Sequence, residues 1–252
     1  MMKTRSLTGA CVVITRPAGT GGTLAREVRA RGGTPLLLPG ASLRGPAAGT
    51  AARAALRQAL ACDLAIFTSP AAVRFAQRLD ALQGRARLLA PGTGTLRALV
   101  RAGCRGVGAP TREDSEGLLG LPSLQDAKGM RIGIIGAAGG RGLLDRELAA
   151  RGAETLHAHV YQRQPARLDR RHADRLLHAR QPVYVLLSSS EALTNILASL
   201  PAAARVALLR ATAVTSSARL ADAARKAGFA RLLDAGSAHA DAMLEAIGRD
   251  RD

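Results

Sequence analysis

The chain repeats itself. Displaced by 120 residues, residues 12–34 (VVITRPAGTGGTLAREVRARGGT) fall on residues 132–154 (IGIIGAAGGRGLLDRELAARGAE) without a gap. Leu24 meets Leu144, Arg26 meets Arg146, Glu27 meets Glu147, Arg31 meets Arg151 and Gly32 meets Gly152. The same displacement lays residues 63–73 (DLAIFTSPAAV) on residues 183–193 (VYVLLSSSEAL), so that an apolar run, a hydroxyl pair and a helical pattern coincide. Two matches in one register identify a duplication. The 252 residues are enough for two domains of about 100 to 150 residues, each able to bury a core.

Each copy reads as strand, glycine-rich turn, helix, strand. Residues 10–15 form a continuous apolar run stopped by Arg16-Pro17, and residues 23–31 have helical apolar spacing that ends at Gly32-Gly33, a helix stop signal. Residues 35–38 read as the next strand. Further short apolar runs at 64–67, 86–90, 130–135, 183–187, 206–209 and 230–234 read as buried strands. Between them lie amphipathic stretches such as 93–102 and 216–227, each closing on Ala-Gly. Alternating strands and helices, with strands apolar throughout, predict an α/β fold of parallel sheets covered by helices on both faces. Two extended stretches, 36–46 and 155–165, stand apart as connectors that could pair as a two-stranded hinge.

Composition narrows the function classes. Apolar residues make up 47% of the chain, as in a soluble globular protein. No apolar run reaches the roughly 18 residues of a membrane-spanning helix, and residues 1–10 lack the apolar core of a signal peptide, so the cytoplasm is the expected location. Cys11, Cys62 and Cys104 lie far apart, without the paired spacing of a zinc site or a disulfide framework. They read as small buried hydrophobes. The net charge of +17 favours anionic partners. Yet nearly all the basic residues are Arg and aromatics are only 2%, so the stacking platforms of a single-strand binder are lacking and nucleic acid is not the expected partner. A small substrate rich in carboxylates suits the charge better.

In open parallel sheets ligands bind beyond the carboxyl ends of the strands, where helix N-termini present free N–H groups. Hydroxyls recur at those places: Thr15-Arg16, Thr68-Ser69-Pro70, Thr93-Gly94-Thr95, Ser188-Ser189-Ser190 and Thr215-Ser216-Ser217. Any one of them can simply cap a helix. Five on one predicted edge suggest a cleft that holds carboxylates or phosphates. Gly139-Gly140-Arg141 opens a helix after the 130–135 strand, so that Gly140 amides and the Arg141 guanidinium would suit an anion. The glycine spacing there is wrong for a dinucleotide fingerprint, and Gly92-Thr93-Gly94-Thr95 lacks the Lys-Ser/Thr ending of a phosphate loop. Candidates for proton transfer are His157 and His159, which alternate on one strand face with Tyr161. His172, His178 and His239 fall on predicted helices as surface residues.

In order along the chain stand Arg16-Pro17, Pro39, F-T-S-P-A-A-V from Phe67 to Val73, Gly92-Thr93-Gly94-Thr95, S-E-G-L-L from Ser115 to Leu119, Gly140-Arg141, Val160-Tyr161-Gln162-Arg163, Ser188-Ser189 and Ala227-Gly228-Phe229. This series resembles the uroporphyrinogen-III synthase family over nearly the whole chain. The resemblance implies two similar α/β domains joined by a two-stranded β-ladder, with the substrate cleft between them. Residues 1–38 with 166–252 would form a discontinuous domain, residues 44–157 the second, and residues 39–43 and 158–165 the connectors. It also implies a cyclising hydro-lyase of haem biosynthesis, acting without a metal or organic cofactor. Hydroxymethylbilane, with its eight carboxylates, would lose hydroxide from ring A. The azafulvene would then close to uroporphyrinogen III, with ring D inverted through a spiro intermediate. Tyr161 would assist departure of the hydroxyl, and Thr68, Ser69, Thr95, Ser188, Ser189 and Ser216 would line the cleft; the reading of the strand ends adds Arg16, Thr93, Gly140 and Arg141 as expected substrate contacts. The chain reads as a monomer, receiving its substrate from hydroxymethylbilane synthase. The competing reading is a non-catalytic module that holds a tetrapyrrole or another polyanion on the same scaffold.

Overall fold

The computed structural model describes residues 5–139 and 142–251. The chain divides into two compact units, Met1–Leu43 with Gln164–Asp252, and Arg44–Arg163. The first unit opens with β1 (Cys11–Ile14), α1 (Gly22–Ala30) and β2 (Thr34–Leu37), and β3 (Ala41–Arg44) spans the crossing into the second. There follow α2 (Gly49–Leu60), β4 (Leu64–Phe67), α3 (Pro70–Leu79), β5 (Arg87–Leu89) and α4 (Thr93–Arg101). The second unit continues through α5 (Ser115–Leu119), α6 (Pro122–Gln125), β6 (Arg131–Ala137), α7 (Leu143–Ala150) and β7 (Glu154–Pro165), on which the chain crosses back. The first unit is then completed by α8 (Arg170–Leu177), β8 (Val183–Leu186), α9 (Ser190–Ser199) and α10 (Ala202–Leu209). Its last elements are β9 (Thr212–Thr215), α11 (Ala218–Ala227), β10 (Arg231–Asp234) and α12 (Ala240–Arg251). Among the described residues no helix is long and apolar enough to cross a membrane.

The duplication is visible in the hydrogen-bond register. One sheet runs β10-β9-β8-β1-β2 and the other β3-β7-β6-β4-β5. The 120-residue displacement carries the parallel pair Cys11↔Thr34 of β1 and β2 onto Arg131↔Glu154 of β6 and β7. It also carries Leu64↔Ile132 of β4 and β6 onto Tyr184↔Val12 of β8 and β1. Since slipping a strand by one residue moves every side chain to the opposite face, keeping the register keeps both cores. The matched Arg-Gly pairs have a structural reason as well. Arg31 and Arg151 are the C-caps of α1 and α7, and Gly32 and Gly152 follow with φ of 82° and 78°, a conformation other residues rarely adopt. Each arginine then anchors its helix. Arg31 pairs with Glu245 at 2.7 Å and Asp241 at 2.8 Å on α12, whereas Arg151 donates to the carbonyls of Leu119 at 2.6 Å and Leu124 at 2.8 Å.

Alternation along the strands fills a core on each face. Val13, Val183 and Val185 pack with α8, α9, α10 and α11 residues such as Leu176, Ile196, Leu208 and Leu220. Val12, Ile14, Tyr184 and Leu186 pack with Leu24, Val28, Leu244 and Ile247 of α1 and α12. In the second unit Leu64, Ile66, Ile132 and Ile134 meet Leu118, Leu119, Leu124 and Leu148. The opposite face lies against α2, and there the approach is closest at Gly133. A Cβ on Gly133 would lie 2.6 Å from the Ala59 carbonyl oxygen and 2.8 Å from its Cα.

One strand assignment is overturned. Residues 206–209 are not a strand but the last turns of α10, and the strand is β9, which begins at Thr212. A short apolar run does not by itself distinguish strand from helix. Here Pro201 stands at the N-cap ahead of three alanines, strong helix formers, and Val206 is 49% exposed while Ala204 and Leu208 are buried, the four-residue spacing of a helix face. Thr212–Thr215 is buried at every position.

Two outcomes follow from this packing. Gly133→Ala should lower stability by about 1–3 kcal/mol, seen as a lower urea midpoint with an unchanged slope. Tyr184 donates to Asp250 Oδ2 at 2.9 Å, and burial first, then Asp250, pushes its phenol above the ordinary value. A raised folded value means that this stability is intact below about pH 10, where the unfolded phenol ionises, and is lost as pH rises through the folded value. In Tyr161→Phe, which leaves one tyrosine of the two, tyrosinate absorbance should appear only beyond the ordinary range or together with unfolding; a normal titration in the folded protein would refute it.

Candidate functional site

Three turns at the carboxyl ends of parallel strands are built alike. After β4, β8 and β9 come Thr68-Ser69, Ser188-Ser189 and Ser216-Ser217. The second serine of each is extended, with φ/ψ of −167°/162° at Ser69, −166°/159° at Ser189 and −165°/154° at Ser217. Each is the N-cap of the next helix, its Oγ accepting from Ala72 N at 3.1 Å, Ala192 N at 3.1 Å and Leu220 N at 3.4 Å. One cap therefore satisfies one of the otherwise orphaned amides of the first turn, and the others remain available to an anion.

In the first unit the hydroxyls of neighbouring strand ends are tied together. Buried Thr15 donates through Oγ1 to the Leu186 carbonyl at 2.8 Å and accepts from Ser188 N at 3.0 Å. Ser188 Oγ in turn donates to the Thr15 carbonyl at 3.2 Å. Ser188 is exposed, Ser189 and Ser216 are half-buried, and half-buried Arg16 reaches the Ala238 carbonyl at 3.4 Å. Ser217, not Ser216, supplies the cap of α11.

In the second unit Thr68 Oγ1 donates to the Ile135 carbonyl at 3.2 Å, and Ser69 Oγ lies 3.3 Å from the Tyr161 hydroxyl. Tyr161 does not share a face with His157 and His159. Gly136 pairs with His159 but Ala137 with Tyr161, so β7 carries one extra residue, Val160, in a bulge. The bulge interrupts the alternation, so that Val160 and Tyr161 are both buried in succession. His157 and His159 are exposed, whereas Tyr161 is 2% exposed and stacks on Phe75 of α3, ring centroids 5.4 Å apart. The Arg78 guanidinium lies 5.2 Å from the other participant in that stack, Phe75.

On the histidine face a cavity of about 420 Å³ is lined by Thr68, Ser115, Asp145, His157, His159 and Arg163, among others. His157 Nε2 lies 2.7 Å from Asp145 Oδ1, and Thr155 Oγ1 donates to the same oxygen at 3.4 Å. Asp145, Ser115 and Arg163 escape a reading of the sequence as site residues because nothing in their spacing links α7, α5 and β7; the pairing of β6 with β7 and the packing of α5 against α7 bring them together. At the start of α4, Thr93 is exposed while Thr95 is 3% exposed. Gly140 and Arg141 lie outside the described residues.

Burial raises the thiols of Cys11, Cys62 and Cys104 above their ordinary value. The cap geometry predicts that Ser69→Ala and Ser189→Ala each cost about 1 kcal/mol in denaturant unfolding. The two losses should add, because the residues cap different helices in different units.

Known proteins bear on these units. An enzyme named uroporphyrinogen-III synthase from Salmonella typhimurium is 37% identical over 137 residues, 54% of this chain and 56% of that protein. Its namesake from Escherichia coli is 36% identical over the same proportions. The chain thus matches little more than half the length of these relatives. A solved mutant uroporphyrinogen III synthase from Thermus thermophilus superposes with a TM-score of 0.58 at 23% identity, covering 96% of this chain and 100% of that one, which establishes the shared fold. The profile of the family described as uroporphyrinogen-III synthase HemD matches residues 22–245, and the chain belongs to that family.

Proposed function

We propose that this protein cyclises hydroxymethylbilane to uroporphyrinogen III, with loss of water and inversion of ring D, in haem biosynthesis. Family membership supports the reaction class, and the observation that carries the reading is the pairing of Tyr161 with the Ser69 turn at 3.3 Å. The phenol is buried against Phe75, with its hydroxyl beside the Thr68-Ser69 turn that follows β4. In that position it can donate to a departing hydroxyl. The exposed or half-buried hydroxyls of Thr68, Ser69, Thr93, Ser188, Ser189 and Ser216, with Arg16 and the free amides of the capped helices, suit carboxylate arms. In this proposal Gly140 and Arg141 would add a further anion contact, and Thr95 would support α4 from within. Much of the rate would come from holding a flexible linear substrate in one folded geometry, which excludes closure to the symmetrical isomer.

The protein is incubated with enzymatically generated hydroxymethylbilane, and the type I and type III products are separated after oxidation. Type III product is expected in excess; type I alone, at the uncatalysed rate, would leave the non-catalytic binding module as the surviving reading. Tyr161→Phe should lower kcat by about 10²-fold while the unfolding midpoint changes little, and an unchanged kcat would remove Tyr161 from the mechanism.

A further inference from the structure

The reaction proposed above begins with a group that leaves and ends with a proton that must be removed. When a pyrrole α-carbon attacks the methylene carbon of the azafulvene, which keeps its N–H and is cationic once hydroxide has left, the charge passes to the attacking ring, and where that α-carbon bears hydrogen its C–H proton must be lost to restore the aromatic ring. Tyr161 can donate to the leaving hydroxyl, but it is stacked on Phe75 on the opposite face of β7 from the cavity. The cavity has its own proton-handling pair. We infer that His157, held by Asp145, is the base that takes this proton, an inference that rests on the activity proposed above.

The geometry gives each atom a task. An ionised carboxylate only accepts hydrogen bonds, so Asp145 Oδ1 at 2.7 Å fixes the hydrogen of His157 on Nε2 and leaves the lone pair on Nδ1. As the C–H bond breaks, its electron pair returns to the ring and the proton goes to Nδ1. The imidazolium so formed lies against the Asp145 carboxylate, which offsets its charge. The hydroxide departs as water with a proton from Tyr161, and solvent carries a proton from His157 back to the phenolate, so the cycle closes without a further reactant. Asp145 is itself held by Thr155 at 3.4 Å, from the same strand as the histidine, so both members of the pair are placed by the β6–α7–β7 unit.

Neighbouring groups favour His157 over its companion. The His159 ring lies 5.6 Å from that of His157, but the described residues give it no carboxylate partner. Arg163 lines the same cavity and remains charged throughout, which suits a carboxylate arm and not proton transfer. Thr68 lines the cavity too, and it adjoins Ser69, which meets Tyr161. The acid and the base therefore stand on either side of one turn.

The test uses the full-length chain in the isomer assay. His157→Gln keeps an N–H for Asp145 but cannot take a proton; kcat for type III product should fall by about 10²-fold with KM within about twofold. His157→Ala should lose as much, and added imidazole should restore at least about tenfold of it. Asp145→Asn, which disturbs only the orientation of His157, should lower kcat by about tenfold without raising KM. Circular dichroism and the thermal midpoint of each variant should match the parent, since the side chains of His157 and Asp145 are 38% and 42% exposed. A folded His157→Gln with the parent's kcat, a loss confined to KM, or a His157→Ala that imidazole does not restore would each overturn the assignment. If the parent itself yields only type I product, the activity reading fails first and this one with it.

Discussion

Everything in this structure depends on parallel strands that are buried on both faces. β1, β4, β8 and β9 have no exposed residue, so their amides and carbonyls must be paired by neighbours and their side chains must fill two cores at once. A strand so placed has no tolerance for a register slip, because each residue is committed to one face. That is why the 120-residue displacement survives in the pairing itself, from Cys11↔Thr34 to Arg131↔Glu154, even where the side chains have diverged. Parallel strands also end together, which gathers the loops after them on a single edge.

One residue type recurs at the strand ends of both units. Ser69, Ser189 and Ser217 each close a helix start, and the residue before each presents a hydroxyl or is tied to the adjacent strand end. A capping serine uses one amide of the first turn and leaves others directed outward, so the stability of the helix and its attraction for anions have a common origin. The excess of basic residues adds a diffuse field to this local one, and Arg16 and Arg163 bring part of it close to the strand ends.

Much of this organisation is legible in the sequence. The duplication, the strand-helix alternation and the serine turns follow from spacing alone, since period, glycine stops and hydroxyl caps are local signals. What escapes is what depends on two elements meeting. The run at 206–209 has the apolarity of a strand and lies in α10, because helix propensity from the preceding alanines decides a case that periodicity does not. Asp145 carries no signal of its own; it becomes a partner for His157 only because β6 and β7 pair and α7 packs beside them. Tyr161 is misplaced by counting, since one extra residue at Val160 is invisible to a period of two.

That extra residue separates two environments on one strand. Before it, β7 presents imidazoles to a cavity; after it, the phenol enters an aromatic stack. A substitution along β7 leaves this phase in place, but a single insertion or deletion near Val160 would shift it and turn the Tyr161 ring away from Phe75. The count of residues up to Val160 therefore sets the face that Tyr161 takes, whatever the letters before it.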